Sequence, residues 1–260
     1  MAWPRKNSDR SADAPTGGDG ELSAYRDLEL ANPEGRTRLA ERWLRRALDR
    51  AIDIQTAPAQ AYVRRLRSSH PNESPAQVSE RLDKNLVRAV GTAGTAAGAT
   101  ATVPGIGTLA SFGAIGADAV AFLEAVTFHT IAKATVYGVD VSRRDQRELL
   151  VSIILLGSTG NAIVERAAHG RKGKSVARKA TELPELGRVN TIVFNKLVRG
   201  FVVKRLKGSF AKILPAGIGA VLGGWGNVKA GKLMVSRSRE AFGVAPTTWP
   251  STPELESAKK

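Results

Sequence analysis

Residues 39–52 read LAERWLRRALDRAI. Leu39, Trp43, Leu44, Ala47, Leu48, Ala51 and Ile52 recur at helical spacing. Arg36, Arg38, Arg42, Arg45, Arg46 and Arg50 fall between and before them, which marks a basic amphipathic helix. Asn32-Pro33-Glu34 supplies its start: a capping residue, proline in the first turn, and an acid at the positive end of the dipole. Pro58 is expected to interrupt this helix, with a short basic helix following through Arg67.

The same periodicity recurs toward both ends of the chain. Ser74-Pro75-Ala76-Gln77 has capping-box spacing with proline at the first helical position. Ser142 is a candidate cap for a further helix whose centre, Leu149 to Leu156, is apolar apart from Ser152. A strand is the competing reading there, but the polar approach from Arg143 to Glu148 and the lack of partner strands favour helix. Ala167 to Lys179 reads as a basic connection. In Val189 to Phe210, the residues Phe194, Val198, Val202, Leu206 and Phe210 stand at strict i, i+4 spacing. A last basic helix runs from about Lys229 to Phe242.

Two segments carry no charge. Ala89 to Ala117 consists mainly of Ala, Gly, Thr and Val, with Gly91, Gly94 and Gly98 before Pro104 and Gly105 and Gly107 after it. The helical pattern then continues from Thr108 and stops at Tyr137-Gly138. Ile213 to Val228 contains Pro215, Gly217, Gly219 and Gly223. Val103 to Leu109 can be laid beside Leu214 to Val221, either as an internal duplication or as a chance agreement of small residues. Small residues let helix backbones approach closely, in a soluble core or in lipid. The first stretch is long enough to span a bilayer, but Ala, Gly and Thr contribute little transfer energy and Pro104 breaks it at its middle. The expected fold class is therefore all-α: a helical bundle with two glycine-rich close-packed segments. Residues 33–242 form one domain, of which 33–72 is a basic extension. Residues 1–32 and 243–260 are polar and rich in Gly, Ser, Asp or Pro, and are expected to be disordered tails.

The chain has 39 Lys plus Arg against 24 Asp plus Glu, a formal net charge of +15, and no cysteine. Disulfide scaffolds, thiol enzymes and Cys-ligated zinc sites are excluded. The polar N-terminal residues lack the apolar core of a secretory signal, so a cytosolic location is expected. Arg166 to Lys212 holds 13 Lys/Arg and only Glu182 and Glu185, which places most of the net charge beside the second glycine-rich segment. Lys196, Arg199, Lys204 and Lys207 flank the apolar stripe of the 189–210 helix and are the expected contacts to an anionic surface. The alternative for this helix is a stripe packed on its own core beneath solvated lysines.

Several motifs suggest chemistry and are discounted. Ala168 to Ser175 fits a relaxed phosphate-loop pattern, but helix rather than strand precedes it and no Asp follows Asp145. Gly105-Ile106-Gly107-Thr108-Leu109-Ala110 mimics a dinucleotide loop without its strand. Asp118, His129 and Lys133 share a helix face and read as a structural ion pair. No catalytic, cofactor or metal residue is assigned.

Taken together, Val103-Pro104-Gly105-Ile106-Gly107, Tyr137-Gly138, Leu156-Gly157, and Leu214-Pro215 with Gly217, Gly219-Ala220, Gly223 and Asn227 make residues 85–240 resemble the bacterial EcsC protein family. The resemblance implies an α-helical, membrane-associated bacterial protein and brings no catalytic motif with it. The expected function is a non-enzymatic accessory protein at the cytosolic membrane face, with anionic lipid or an integral membrane protein as partner. The alternatives are a soluble nucleic-acid-binding protein and a helical carrier of a lipid or other apolar ligand, which needs a pocket.

Overall fold

The computed structural model describes residues 33–93, 117–169, 173–206 and 224–250. The chain divides into two compact units, residues 1–40 and 41–260. Of the first, the described part is residues 33–40, the opening turns of a helix. Eight helices and no strand are present among the described residues, so the chain is all-α. They are α1 (Pro33–Ser69), α2 (Pro75–Ala93), α3 (Ala117–Tyr137), α4 (Arg144–Leu156), α5 (Ser158–Ala167), α6 (Val176–Thr181), α7 (Leu186–Leu206) and α8 (Gly224–Phe242).

Local chemistry fixes several boundaries. At the start of α2, the Ser74 amide donates to Gln77 Oε1 at 2.8 Å and the Gln77 amide to Ser74 Oγ at 3.3 Å, the reciprocal capping box read from sequence. Gly138 ends α3 with φ of 61°, a left-handed conformation that glycine adopts without a Cβ penalty. The Val139 amide then returns to the Ala134 carbonyl at 2.9 Å. Arg178 donates to the Tyr137 and Gly138 carbonyls, placing a cation on the negative end of the α3 dipole.

Four boundaries depart from expectation. α1 runs through Pro58 without ending. Ala51, Ile52 and Gln55 before the proline, and Ala59, Val63 and Leu66 after it, are all buried. Packing on both sides holds the helix together despite the missing amide. α4 is capped at Arg143, whose amide Gln146 Oε1 accepts at 2.9 Å, whereas the Ser142 amide is taken by Asp140. The basic connection after Ala167 contains α6, capped by Ser175. Residues 243–250, expected as part of a disordered tail, lie against the core: the Trp249 indole donates to the Glu73 carbonyl and stacks under Arg67.

The helices pack around α4, which touches α3, α5, α6, α7 and α8. Leu149 to Ile154 are buried without a break, so the centre of α4 shows no exposed face, and a strand-like apolar run results from a helix segment enclosed on all sides. α2 pairs most extensively with α8 and α3. A Cβ on Gly91 would stand 2.9 Å from Val228, and one on Gly231 would stand 3.1 Å from the Val87 Cα. With Asp83 bonded to Arg239, these contacts run α2 and α8 antiparallel. Gly160 of α5 sits on the backbone of Ile153 in α4, at 2.8 Å from its Cα for an added Cβ.

The glycines therefore divide by space. Gly160→Ala should destabilise by about 1–3 kcal/mol, because backbone must move. Gly187→Ala and Gly200→Ala, helical positions with open space around them, should stabilise by about 0.5–1 kcal/mol through chain entropy. Urea denaturation of the three variants checks the opposite signs.

Candidate functional site

The most heavily charged interior site lies between α2, α3 and α8. α2 presents Val78, Leu82, Leu86 and Val90 to the core, and Ser79 and Asp83 lie beside that stripe and are buried with it. Asp83 Oδ1 accepts from His129 Nε2 at 2.8 Å and from Lys133 Nζ at 2.9 Å, and Oδ2 accepts from Arg239 Nε at 2.8 Å. The Lys133 side chain is 0% exposed, while that of Arg239 is 60% exposed, so among the described residues the cluster reaches solvent through Arg239 of α8. Tyr137 completes the wall, its hydroxyl 3.4 Å from Ser79 Oγ and its ring against Phe242.

Burial opposes ionisation of Asp83, but the His129 hydrogen bond and the Lys133 charge outweigh it and hold the carboxyl well below its usual range. Burial pushes the His129 pKa down, against its hydrogen bond to Asp83, and His129 Nδ1 has no partner among the described residues. Neutral His129 therefore donates through Nε2. Burial also lowers the Lys133 pKa, with Asp83 pushing back. Asp83 and Lys133 are almost wholly buried, and their arrangement is that of a buried, compensated charge set. His129 and Lys133 do share an ion pair as read from sequence, but with Asp83 as the carboxylate. An acid 46 residues before His129 has no local signal, although a lone Asp next to the apolar stripe of α2 was a hint.

A second site is open. A groove of about 990 Å³ lies between α5 and α7, floored by the connection before α7. α7 turns Arg188, Ile192, Lys196 and Arg199 into it along one helical stripe, and α5 contributes Ile163 and Arg166. The opposite face of α7 is core: Val193, Phe194 and Val198 are buried, and the Arg45 guanidinium lies 4.0 Å from the Phe194 ring centre. Phe194 and Val198 of the predicted stripe thus pack inward, and burying such side chains is worth about 1.5–3 kcal/mol each.

Arg188 is paired with Glu185 at 3.2 Å. Among the described residues, Arg166, Lys196 and Arg199 have no carboxylate within ion-pair distance. Ile192 is 47% exposed among them. The groove is an apolar strip ringed by cations, a chemistry suited to an anion carrying hydrocarbon.

Lys196 and Arg199 both line the groove. Lys204 lies on the last turns of α7 and its side chain, like all of Lys207, is outside the described residues. So are Gly94, Gly98, Pro104, Gly105, Gly107, Pro215, Gly217, Gly219 and Gly223. Gly91 is described and forms the close contact with Val228. Sequence reading missed Arg166 and the floor at Leu183 and Pro184, which the fold alone places opposite α7. In the phosphate-loop-like stretch, α5 precedes the loop, Lys174 is paired with Glu182 at 2.5 Å and Ser175 caps α6. No helix among the described residues is long and apolar enough to cross a membrane. No group of three or more His, Asp or Glu among them is placed to hold a metal ion. No protein-family model matches the chain, and no curated protein or solved structure matches it.

Asp83→Asn should cost about 3–5 kcal/mol by leaving Lys133 buried without a counter-charge. The depressed Asp83 and His129 pKa values share one sign. As pH falls from about 7, the unfolded state takes up protons first, so stability falls with it. His129→Gln keeps a donor for Asp83 and should flatten the loss between about pH 7 and pH 5. Denaturation midpoints across that range test both.

Proposed function

We propose that the protein is a non-enzymatic accessory protein that works at the cytosolic face of a membrane, held there by anionic lipid. The observation that carries this reading is the α5–α7 groove: three cations without carboxylate partners among the described residues line one side, beside exposed apolar surface. Cations that fold stability does not use are free to meet an anionic surface, each contributing about 1 kcal/mol when close to it. The net charge of +15 adds long-range attraction. The resemblance of residues 85–240 to the EcsC family points the same way, on sequence punctuation alone. An integral membrane protein with an acidic cytosolic loop fits the same surface as a further partner.

Flotation with liposomes tests the reading. The protein should float with anionic but not neutral vesicles, and raised salt should release it. Lys196→Ala with Arg199→Ala should weaken partitioning by about 2 kcal/mol, roughly 30-fold. Unchanged flotation of that double variant removes α7 as the contact. Loss of flotation on adding duplex DNA replaces the membrane by a nucleic acid as the partner.

A further inference from the structure

The groove is more specific than a charged face needs to be, and the details point to a stoichiometric ligand. We infer that it holds one molecule of an anionic phospholipid with a phosphomonoester headgroup, the phosphate among Arg166, Lys196 and Arg199 and the first part of an acyl chain over Ile192 and Ile163. The inference deepens the membrane reading and rests on it for the source of the ligand.

Three observations select this chemistry. The first is charge. The three cations lack carboxylate partners among the described residues, whereas the fourth, Arg188, is neutralised by Glu185. A phosphodiester brings one negative charge, while a phosphomonoester carries about 1.5 to 2 at neutral pH, closer to what three cations can compensate. Two of the three are arginines, whose planar fork bonds a phosphate through two donors at once. The second is geometry. Arg166 projects from α5, and Lys196 and Arg199 project from α7. A ligand can therefore be held from two helices, which a single basic helix lying on a bilayer does not offer. Both helices are fixed by the core, α5 through Gly160 against Ile153 and α7 through Val193, Phe194 and Val198, so the backbone positions that carry the cations are set before the ligand arrives.

The third is apolar surface. Ile192 is 47% exposed within the ring of cations, and Ile163 and Leu183 line the groove beside it. A free phosphate or a sugar phosphate leaves this surface wet. A glycerophospholipid places methylenes within a few bonds of its phosphate and covers it. A volume of about 990 Å³ is at the upper end of the range for small-ligand sites, enough for a headgroup and part of a chain.

The test uses the full-length protein and soluble short-chain lipids, so that binding does not depend on vesicles. Dioctanoyl phosphatidic acid, dioctanoyl phosphatidylglycerol and glycerol 3-phosphate are titrated by calorimetry below their aggregation limits. Phosphatidic acid should bind one to one and at least about tenfold tighter than either of the others. Ile192→Ser should weaken phosphatidic acid several-fold and leave glycerol 3-phosphate unchanged. Lys196→Ala with Arg199→Ala should abolish both. These side chains are exposed, and unchanged thermal unfolding confirms that the variants fold. Equal affinity for the two lipids, or for phosphatidic acid and glycerol 3-phosphate, overturns the proposal. If no short-chain lipid binds while anionic vesicles still float the protein, the groove ligand is refuted and the membrane reading stands. If short-chain phosphatidic acid binds and no vesicle floats the protein, the site stands and the membrane reading fails.

Discussion

Asp83 is the constraint around which the bundle is arranged. One carboxylate, almost completely buried, is shared by a histidine and a lysine from α3 and an arginine from α8. A buried carboxylate is tolerated only when its partners are in place, and a buried lysine only when the carboxylate is. The two therefore fix each other, and through them the register of α2 against α3. Arg239 adds the third helix from the solvent side. Apolar packing alone would let these helices slide by a turn at modest cost. A slide that separates Lys133 from Asp83 leaves two uncompensated charges in the core, so a polar pair of little net energetic value selects one arrangement.

Close backbone approach does the rest. Gly91 and Gly231 let α8 sit on α2, and Gly160 lets α5 sit on α4. The second contact matters for the groove, because α5 forms one of its walls. A wider spacing between α4 and α5 would carry Arg166 away from Lys196 and Arg199. α7 packs on α4, with Val193, Phe194 and Val198 buried on its inward face, and the same helix turns its cations outward. The division of α7 into a packed face and a charged face lets the core position a surface without touching it.

Much of this was legible in the sequence because it is local. The Ser74–Gln77 box, the Gly138 stop and the 3.6-residue periodicity of α1, α2 and α7 depend on neighbours within one or two turns. What was not legible depends on residues far apart. Pro58 obeys the local rule for ending a helix, and buried residues on either side of it override that rule. Trp249 has the composition of a tail residue around it, and its partners, Glu73 and Arg67, lie at the other end of the sequence. Asp83 is one more acid on an amphipathic helix until α3 is folded against it. Of the groove, Lys196 and Arg199 were visible as charges beside an apolar stripe, whereas Arg166, Ile192 and the Leu183–Pro184 floor become a site only once α5 and α7 are neighbours.

The antiparallel pairing of α2 with α8 also sets the order in which the molecule can be completed during synthesis. Asp83 and Arg239 are 156 residues apart, and the Val87 and Val90 side of α2 is covered by a helix that leaves the ribosome long after it. Until then a nascent chain can join α2 to α3 through Asp83 and Lys133, but it keeps an uncovered apolar strip facing solvent. Contacts of such separation form slowly, because the intervening chain must be closed into a loop first. Residues 224–242 are thus a closing element. A polypeptide released before them keeps the sticky surface permanently and becomes a substrate for chaperones and proteases rather than a smaller working protein.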